Sequence, residues 1–364
     1  MKSYILQIHT GSFMNRHTDI QEIKEKMDPI VLHNHIKAVI FGWNLDNTLN
    51  QSILDYFHQH HIPCYFWLPV LSEVDLIKDA SAMIDYTGKQ GNQVQVIEDE
   101  SFSFLCPSDL KNFHNIQQIY EEHLSQLSFD GIFLDKIRFP SFANGYNEGF
   151  GCFCEQCQNR YGNEGIDLHS LKSKIDLHDA TLLKGHYDDY GHYCFDDENV
   201  DLFYKTRSKI ISTFVGNLCD YFHQKKLKVG LDIYAPFFAY HCGQDIYKLS
   251  QKADFLKPMF YRFTQAPAGM HYEYDAYIKN FDQTDYFEFD PISMENLQLQ
   301  TEFLRNAKCD VYPGIEINPI DDICEVDKDK FLESRDFFQQ HFETIVCCWN
   351  CLLMGKEIEE IFLR

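Results

Sequence analysis

The sequence is poor in positive charge. Against 55 acidic residues it carries 32 Lys and Arg, a formal net charge of −23, which argues against nucleic acid or an anionic membrane as partner. The acids are spread along the chain, so they form a soluble surface and not an acidic tail. Long hydrophobic runs are missing too. No segment approaches the roughly 18 uninterrupted apolar residues of a membrane helix. Residues 1–9 have too short an apolar run, and no small-residue cleavage site, for a signal peptide. There is no Gly-rich phosphate loop, no G-x-S-x-G elbow and no H-E-x-x-H. No internal repeat or low-complexity linker offers a boundary, so the expectation is one domain spanning 1–364. Thirteen cysteines, odd in number and irregular in spacing, do not form a secreted disulfide framework. A cytoplasmic protein with reduced thiols is expected.

What is present is a large aromatic and apolar complement: 45% of residues are apolar, with 31 Phe and 21 Tyr. That load suits a large core first, and also a cleft in which rings stack on sugar C–H faces. Short apolar runs at 4–9, 38–43 and 64–70 alternate with helical patterns at about 30-residue intervals, the rhythm of a parallel sheet. The rhythm breaks at 80–109, where the turn-rich patch 87–92 precedes two alternating stretches, 94–97 and 101–105. These predict a hairpin inserted over the mouth. A helix at 115–127 leads to a fourth strand, Gly131 to Leu134, an apolar run without helical spacing. Residues 143–199 form a long polar insertion, too long for an ordinary loop. Further strands are expected at 228–233, 255–261, 310–317 and 344–349, with helices at 201–225, 294–307 and 331–341 between them. The segment 266–291 reads as an aromatic, acidic excursion that could cover its own site or a neighbouring subunit's, so a homo-oligomer is open. Eight strands alternating with helices, polar or aromatic at their carboxyl ends, predict an α/β fold, the (β/α)8 TIM barrel with elaborated loops.

On such a barrel the carboxyl ends of the strands carry the chemistry. Three carboxylates stand there: Asp135 after strand four, Asp232 on strand five and Glu316 on strand seven. A buried carboxylate costs several kcal/mol unless paired or hydrogen-bonded, so these positions say more than the surface acids. One reading is structural: Asp135 pairs with Arg138 or Lys136, and Asp232 with Lys257 or Arg262. The other is two carboxylates acting on a glycosidic bond, one as nucleophile or base and one as acid. His9, Trp43, Trp67, Tyr234, Tyr261 and Trp349 would then line the cleft, with Arg138 and Lys257 as further substrate contacts. Lys136 or Lys257 could instead be a Schiff-base lysine of an aldolase-type barrel. A barrel that binds carbohydrate without cleaving it is a further alternative.

Cys152, Cys154 and Cys157 form C-x-C-x2-C. Three thiols at this spacing in a reducing compartment predict a structural zinc site that needs a fourth ligand. Cys106, Cys194, His192 and Cys242 are candidates, and Cys106 is favoured because its loop should lie over the same mouth. A set of free cysteines is the alternative. An iron–sulfur cluster would need a fourth nearby cysteine in a recognisable run.

The stretch Asp130-Gly131-Ile132-Phe133-Leu134-Asp135-Lys136-Ile137-Arg138-Phe139-Pro140 resembles a family of uncharacterised glycoside-hydrolase-like barrels with the strand-four motif D-G-[IV]-x-[LF]-D-x-[IV]-R-[YF]-P. Cys152, Phe153, Cys154 and Cys157 match a Cys-Phe-Cys-x-x-Cys stretch found in some members. Cys106-Pro107-Ser108 and the segment from Tyr312 to Glu316 are similar as well. The resemblance implies a glycoside-hydrolase-like barrel with Asp135 as a catalytic carboxylate and Glu316 as its partner. It does not extend to Asp232, which is expected to support the catalytic pair, and it leaves the substrate open.

Overall fold

The computed structural model describes residues 2–11, 17–72, 79–90, 94–97, 100–281 and 290–363. Eight parallel strands close on themselves: β1 (Ser3–His9), β2 (Ile36–Gly42), β3 (Cys64–Pro69), β4 (Gly131–Asp135), β5 (Lys228–Tyr234), β6 (Phe255–Met259), β7 (Gly314–Glu316) and β8 (Thr344–Cys348). Each pairs with its neighbour in sequence, and β8 pairs back onto β1. The protein is a (β/α)8 barrel. A short piece, Asp310–Val311, precedes β7. The seventh strand is split at Pro313, whose nitrogen cannot donate to a ladder and whose carbonyl still accepts from the Val346 amide at 2.8 Å.

Several of the helices begin where the sequence supplies a side-chain cap. Asp19, Asp46, Asp109, Asp197 and Asp327 accept from the free amides of the first turns of Ile20–His33, Asn47–Gln59, Leu110–Ile119, Glu198–Gln224 and Lys328–His341. Such caps contribute about 1 kcal/mol each. Helix Leu110–Ile119 starts earlier than the expected 115 because Asp109 caps it, and it runs on into a π-turn, Tyr120–Leu124. The excursion at 266–291 holds a helix that the sequence reading missed, Met270–Phe281; its residues 282–289 lie outside those described. Met270, Glu273, Tyr277 and Phe281 share the buried face.

Inside the barrel the side chains fill in layers. Tyr65, Phe133 and Phe255 make a lower aromatic layer, with Phe133 stacked on Phe255 at 5.9 Å and Tyr65 edge-on to it at 5.3 Å. Gly230 is small because a Cβ there would meet the Phe255 ring at 2.1 Å. Gly314 is small for the layer above, since its Cβ would meet Lys257 Cε at 2.4 Å. Glycine thus admits large side chains from the neighbouring strand.

The expected hairpin after β3 is present, Val94–Ile97 antiparallel to Glu100–Phe102. Its second strand is shorter than expected: Leu105 instead bridges to Ala82. Of the turn-rich patch, residues 91 and 92 lie outside those described. The insertion at 143–199 is folded and not a loop. It contains helices Glu155–Asn163 and Leu168–Asp176 and the hairpin Gly185–Tyr187 with Tyr193–Phe195. Tyr161, Leu171, Ile175 and Leu182 give it a buried core. Among the described residues no helix is long and apolar enough to cross a membrane.

Candidate active site and cysteine centre

Strand β4 ends at Asp135, which is 8% exposed. Its Oδ2 accepts from the Trp67 indole Nε1 at 2.9 Å, and Oδ1 accepts from the Lys136 amide. Trp67 comes from β3, where Pro69 and Asp135 are register partners. Lys136 (φ 53°), the next residue, and Trp43 (φ 70°), whose ring centroid lies 5.7 Å from that of Trp67, hold left-handed backbones. Such conformations are uncommon for large side chains and concentrate at functional sites. The Lys136 Nζ lies 4.6 Å from the Trp43 ring centroid, a cation–π contact. His9 closes the arc, with ring centroids 4.9 Å from Trp43 and 5.6 Å from Trp67. Burial, with the Lys136 charge nearby, pushes the His9 imidazole down to about 3, so it is neutral.

Asp232 lies next to this arc. Extending the β4–β5 register two residues beyond Phe133 and Gly230 puts Asp232 opposite Asp135. The ion-pair reading of Asp232 is realised with Lys257, whose Nζ is 2.9 Å from Oδ2; both side chains are almost wholly buried. Lys257 also donates to the Tyr261 hydroxyl at 2.6 Å, and Tyr261 sits edge-on to Trp349 at 5.5 Å. Asp232 Oδ1 is buried without a hydrogen-bond partner. Burial raises this carboxyl to about 7, with Lys257 pulling it down and Asp135 pushing it up. Arg262, the other partner considered, turns outward to Ser334 and Glu333.

Glu316 occupies β7, three strands round the barrel from β4. It is 1% exposed, and its Oε1 accepts from the Phe263 amide at 2.7 Å and the Thr264 hydroxyl at 3.1 Å. Burial raises its carboxyl to about 7 against those hydrogen bonds.

Of the expected cleft residues, Trp43 and Trp349 are half-buried. Tyr234 is buried. Its face carries the Arg138 guanidinium at 4.3 Å, and its hydroxyl donates to Glu273 Oε1 at 2.9 Å. Arg138 is itself buried. Glu273 is a carboxylate that the sequence reading did not pick out. The available signal was its position three residues from Met270 and four from Tyr277, a charge on an apolar helical face.

The cysteine expectation is met by four residues. The sulfurs of Cys106, Cys152, Cys154 and Cys157 all lie within 4.8 Å of one another. Cys106 Sγ is 3.4 Å from Cys154 Sγ and 3.7 Å from Cys157 Sγ. A tetrahedron with metal–sulfur bonds of about 2.3 Å has edges of about 3.8 Å, so the spacing fits one ion. The amides of Ile84 and Cys154 point at Cys152 Sγ at 3.5 Å, and Cys157 Sγ lies 3.2 Å from Ser108 Oγ. Backbone amides aimed at sulfur suit thiolates held by a metal. The other candidates lie elsewhere: His192 is held between Asp188 and Asp245, and Cys194 belongs to the hairpin Gly185–Phe195.

No protein-family model matches this chain, and neither does any curated protein. Among solved structures it is similar to the glycoside hydrolase domain of PgaB (BpsB) from Bordetella bronchiseptica. The two share 11% identity over 100% of this chain and 98% of that one, with a TM-score of 0.64. It is also similar to alpha-L-fucosidase isoenzyme 2 from Paenibacillus thiaminolyticus, at 12% identity over 99% of this chain and 48% of that one, TM-score 0.55. The likeness is one of fold.

Proposed function

We propose that this chain, acting as one domain, is a glycoside hydrolase that cleaves a small glycoside or oligosaccharide with Asp135 and Glu316. The observation that carries the reading is Asp135. It is a carboxylate at the mouth end of a barrel strand, aimed by an indole N–H and followed by the left-handed Lys136, whose Nζ lies over the ring of the left-handed Trp43. The similarity in fold to solved glycoside-hydrolase barrels supports the same class. Glu316, held near 7 by burial, is suited to stay protonated and act as general acid. Its proton goes to the glycosidic oxygen as the bond from that oxygen to the anomeric carbon breaks. Asp135 meanwhile attacks the anomeric carbon, or takes the proton of the attacking water. Which of these occurs depends on the carboxylate separation, about 5 Å for nucleophilic attack and 6.5–9.5 Å for a water between them. The half-buried Trp43 and Trp349 are the surfaces on which a sugar would stack.

The four cysteines are assigned to structural zinc. An all-sulfur set without an open position supports a role in holding structure and not in catalysis.

The test is turnover of a panel of 4-nitrophenyl glycosides by Asp135→Asn and Glu316→Gln. Each variant should lose turnover while keeping its fold and metal. Full activity in either would refute that residue's role. Sugar binding by a wild-type protein that cleaves nothing would favour a non-catalytic binding barrel. In the active enzyme kcat/KM should fall as pH rises through about 7, as Glu316 loses the proton it must donate.

A further inference from the structure

Arg138 carries a charge almost wholly removed from water, at 4% exposed. Its Nη1 donates to neutral acceptors, the Phe139 carbonyl at 3.1 Å and Asn144 Oδ1 at 3.3 Å. The guanidinium contacts two rings, with Tyr234 at 4.3 Å and Phe104 at 4.9 Å from their centroids. Rings orient a cation but do not neutralise it, and a buried charge without a counter-charge is strongly destabilising. Across the Tyr234 ring stands a carboxylate, Glu273, which is 0% exposed; Asp135 adds a weaker negative influence on Arg138. Its Oε1 accepts from the Tyr234 hydroxyl and the Ala268 amide, both at 2.9 Å, and its Oε2 is buried without a hydrogen-bond partner. Two opposite buried charges therefore flank one phenol.

Arg138 belongs to the tail of the strand that carries Asp135. That tail is tied on both sides: Val70 and Leu71 amides donate to the Asp135 and Lys136 carbonyls at 3.0 and 3.3 Å, and the Phe139 amide donates to the Cys242 carbonyl at 2.9 Å. One of the tied residues is the left-handed Lys136, a conformation that persists only where its surroundings enforce it.

We propose that Glu273 is a positioning residue: it is the counter-charge that holds Arg138 against Tyr234, and Arg138 in turn fixes the strand-four tail that presents Asp135. The effect on Asp135 rests on the hydrolase reading above; the pairing with Arg138 does not. The electrostatics agree, since burial raises the Glu273 carboxyl and the Arg138 charge is the main influence pulling it back.

The test combines Glu273→Gln, Arg138→Met and the double variant, measured by thermal melting and by kcat and KM on the same panel of aryl glycosides. Each single change should lower the melting temperature, and the double should melt no lower than Arg138→Met alone. Glu273→Gln should lower kcat by about 100-fold, the scale of a misplaced catalytic group, with KM little changed. Glu273→Asp, which keeps the charge, should recover part of that loss. If Glu273→Gln does not fold, Tyr234→Phe removes only the linking hydroxyl and should lower kcat in the same direction. Additive losses in melting overturn the pairing whatever the activity, and an unchanged kcat in Glu273→Gln overturns the positioning role. A wild-type protein inactive on every glycoside would instead sink the hydrolase reading, and melting alone would decide the pairing.

Discussion

At the scale of single residues, the candidate site depends on how few polar partners each buried carboxylate has. Among the described residues Asp135 has one side-chain donor, the Trp67 indole. A hydrogen bond to a charged group contributes about 1.5–3 kcal/mol, and 1.4 kcal/mol is a factor of ten in rate. Trp67→Phe keeps an aromatic ring but loses the N–H, so kcat should fall roughly 10- to 100-fold. Loss of folding with the activity would mean that the indole serves packing alone. Glu316 poses a different electrostatic problem. Its folded pKa lies above that of the unfolded chain, so the fold binds its proton more tightly. The stability this confers is present in full below about 4.5, the unfolded value. It is lost as pH climbs through about 7. Thermal melts between pH 4 and 8 should show this decline in the wild type and a flatter profile in Glu316→Gln.

At the scale of elements, the β5–β6 pair places a full salt bridge inside the barrel. Lys257 and Asp232 are register partners on adjacent strands, and Gly314 on β7 leaves the room that Lys257 fills. Removing one partner strands the other charge, a loss of about 3–5 kcal/mol, whereas replacing both is often near neutral. Lys257→Met should therefore be strongly destabilised in urea unfolding, and Lys257→Met with Asp232→Asn should regain most of the difference. A double variant no better than the single would show that Lys257 acts through its packing. This pairing also argues against a Schiff-base role, because the lysine is held as a charged partner and not as a free amine.

At the scale of the whole molecule, the cysteine centre joins two insertions. Cys106 lies within the insertion after β3, past its hairpin, while Cys152, Cys154 and Cys157 belong to the insertion after β4. The Leu105 amide binds the Leu71 carbonyl at 2.9 Å, so the centre is tied directly to the barrel mouth. Purified protein should contain about one zinc per chain, the content of a four-thiolate site. Stripping it with a chelator, or Cys106→Ser, should lower the melting temperature while the barrel's circular dichroism persists. Metal-free protein with an unchanged melting point would remove the assignment.

The barrel was legible in the chain because its signals are local. Buried parallel strands are short apolar runs, and their ends announce themselves by an abrupt change to charge, as at Leu134 to Lys136. The C-x-C-x2-C spacing is local as well, and it pointed to a cluster before its fourth member was placed. Other features depend on side chains distant in sequence. Asp135 takes its indole from a strand 68 residues earlier, and Tyr234 turns from a cleft wall into the link between Arg138 and Glu273. Period and spacing thus determined the strands, the barrel and three of the thiols. The partners of each buried charge were decided only when the closed barrel brought neighbouring strands and their loops together, because burial and counter-charge are properties of the enclosed space and not of the segment.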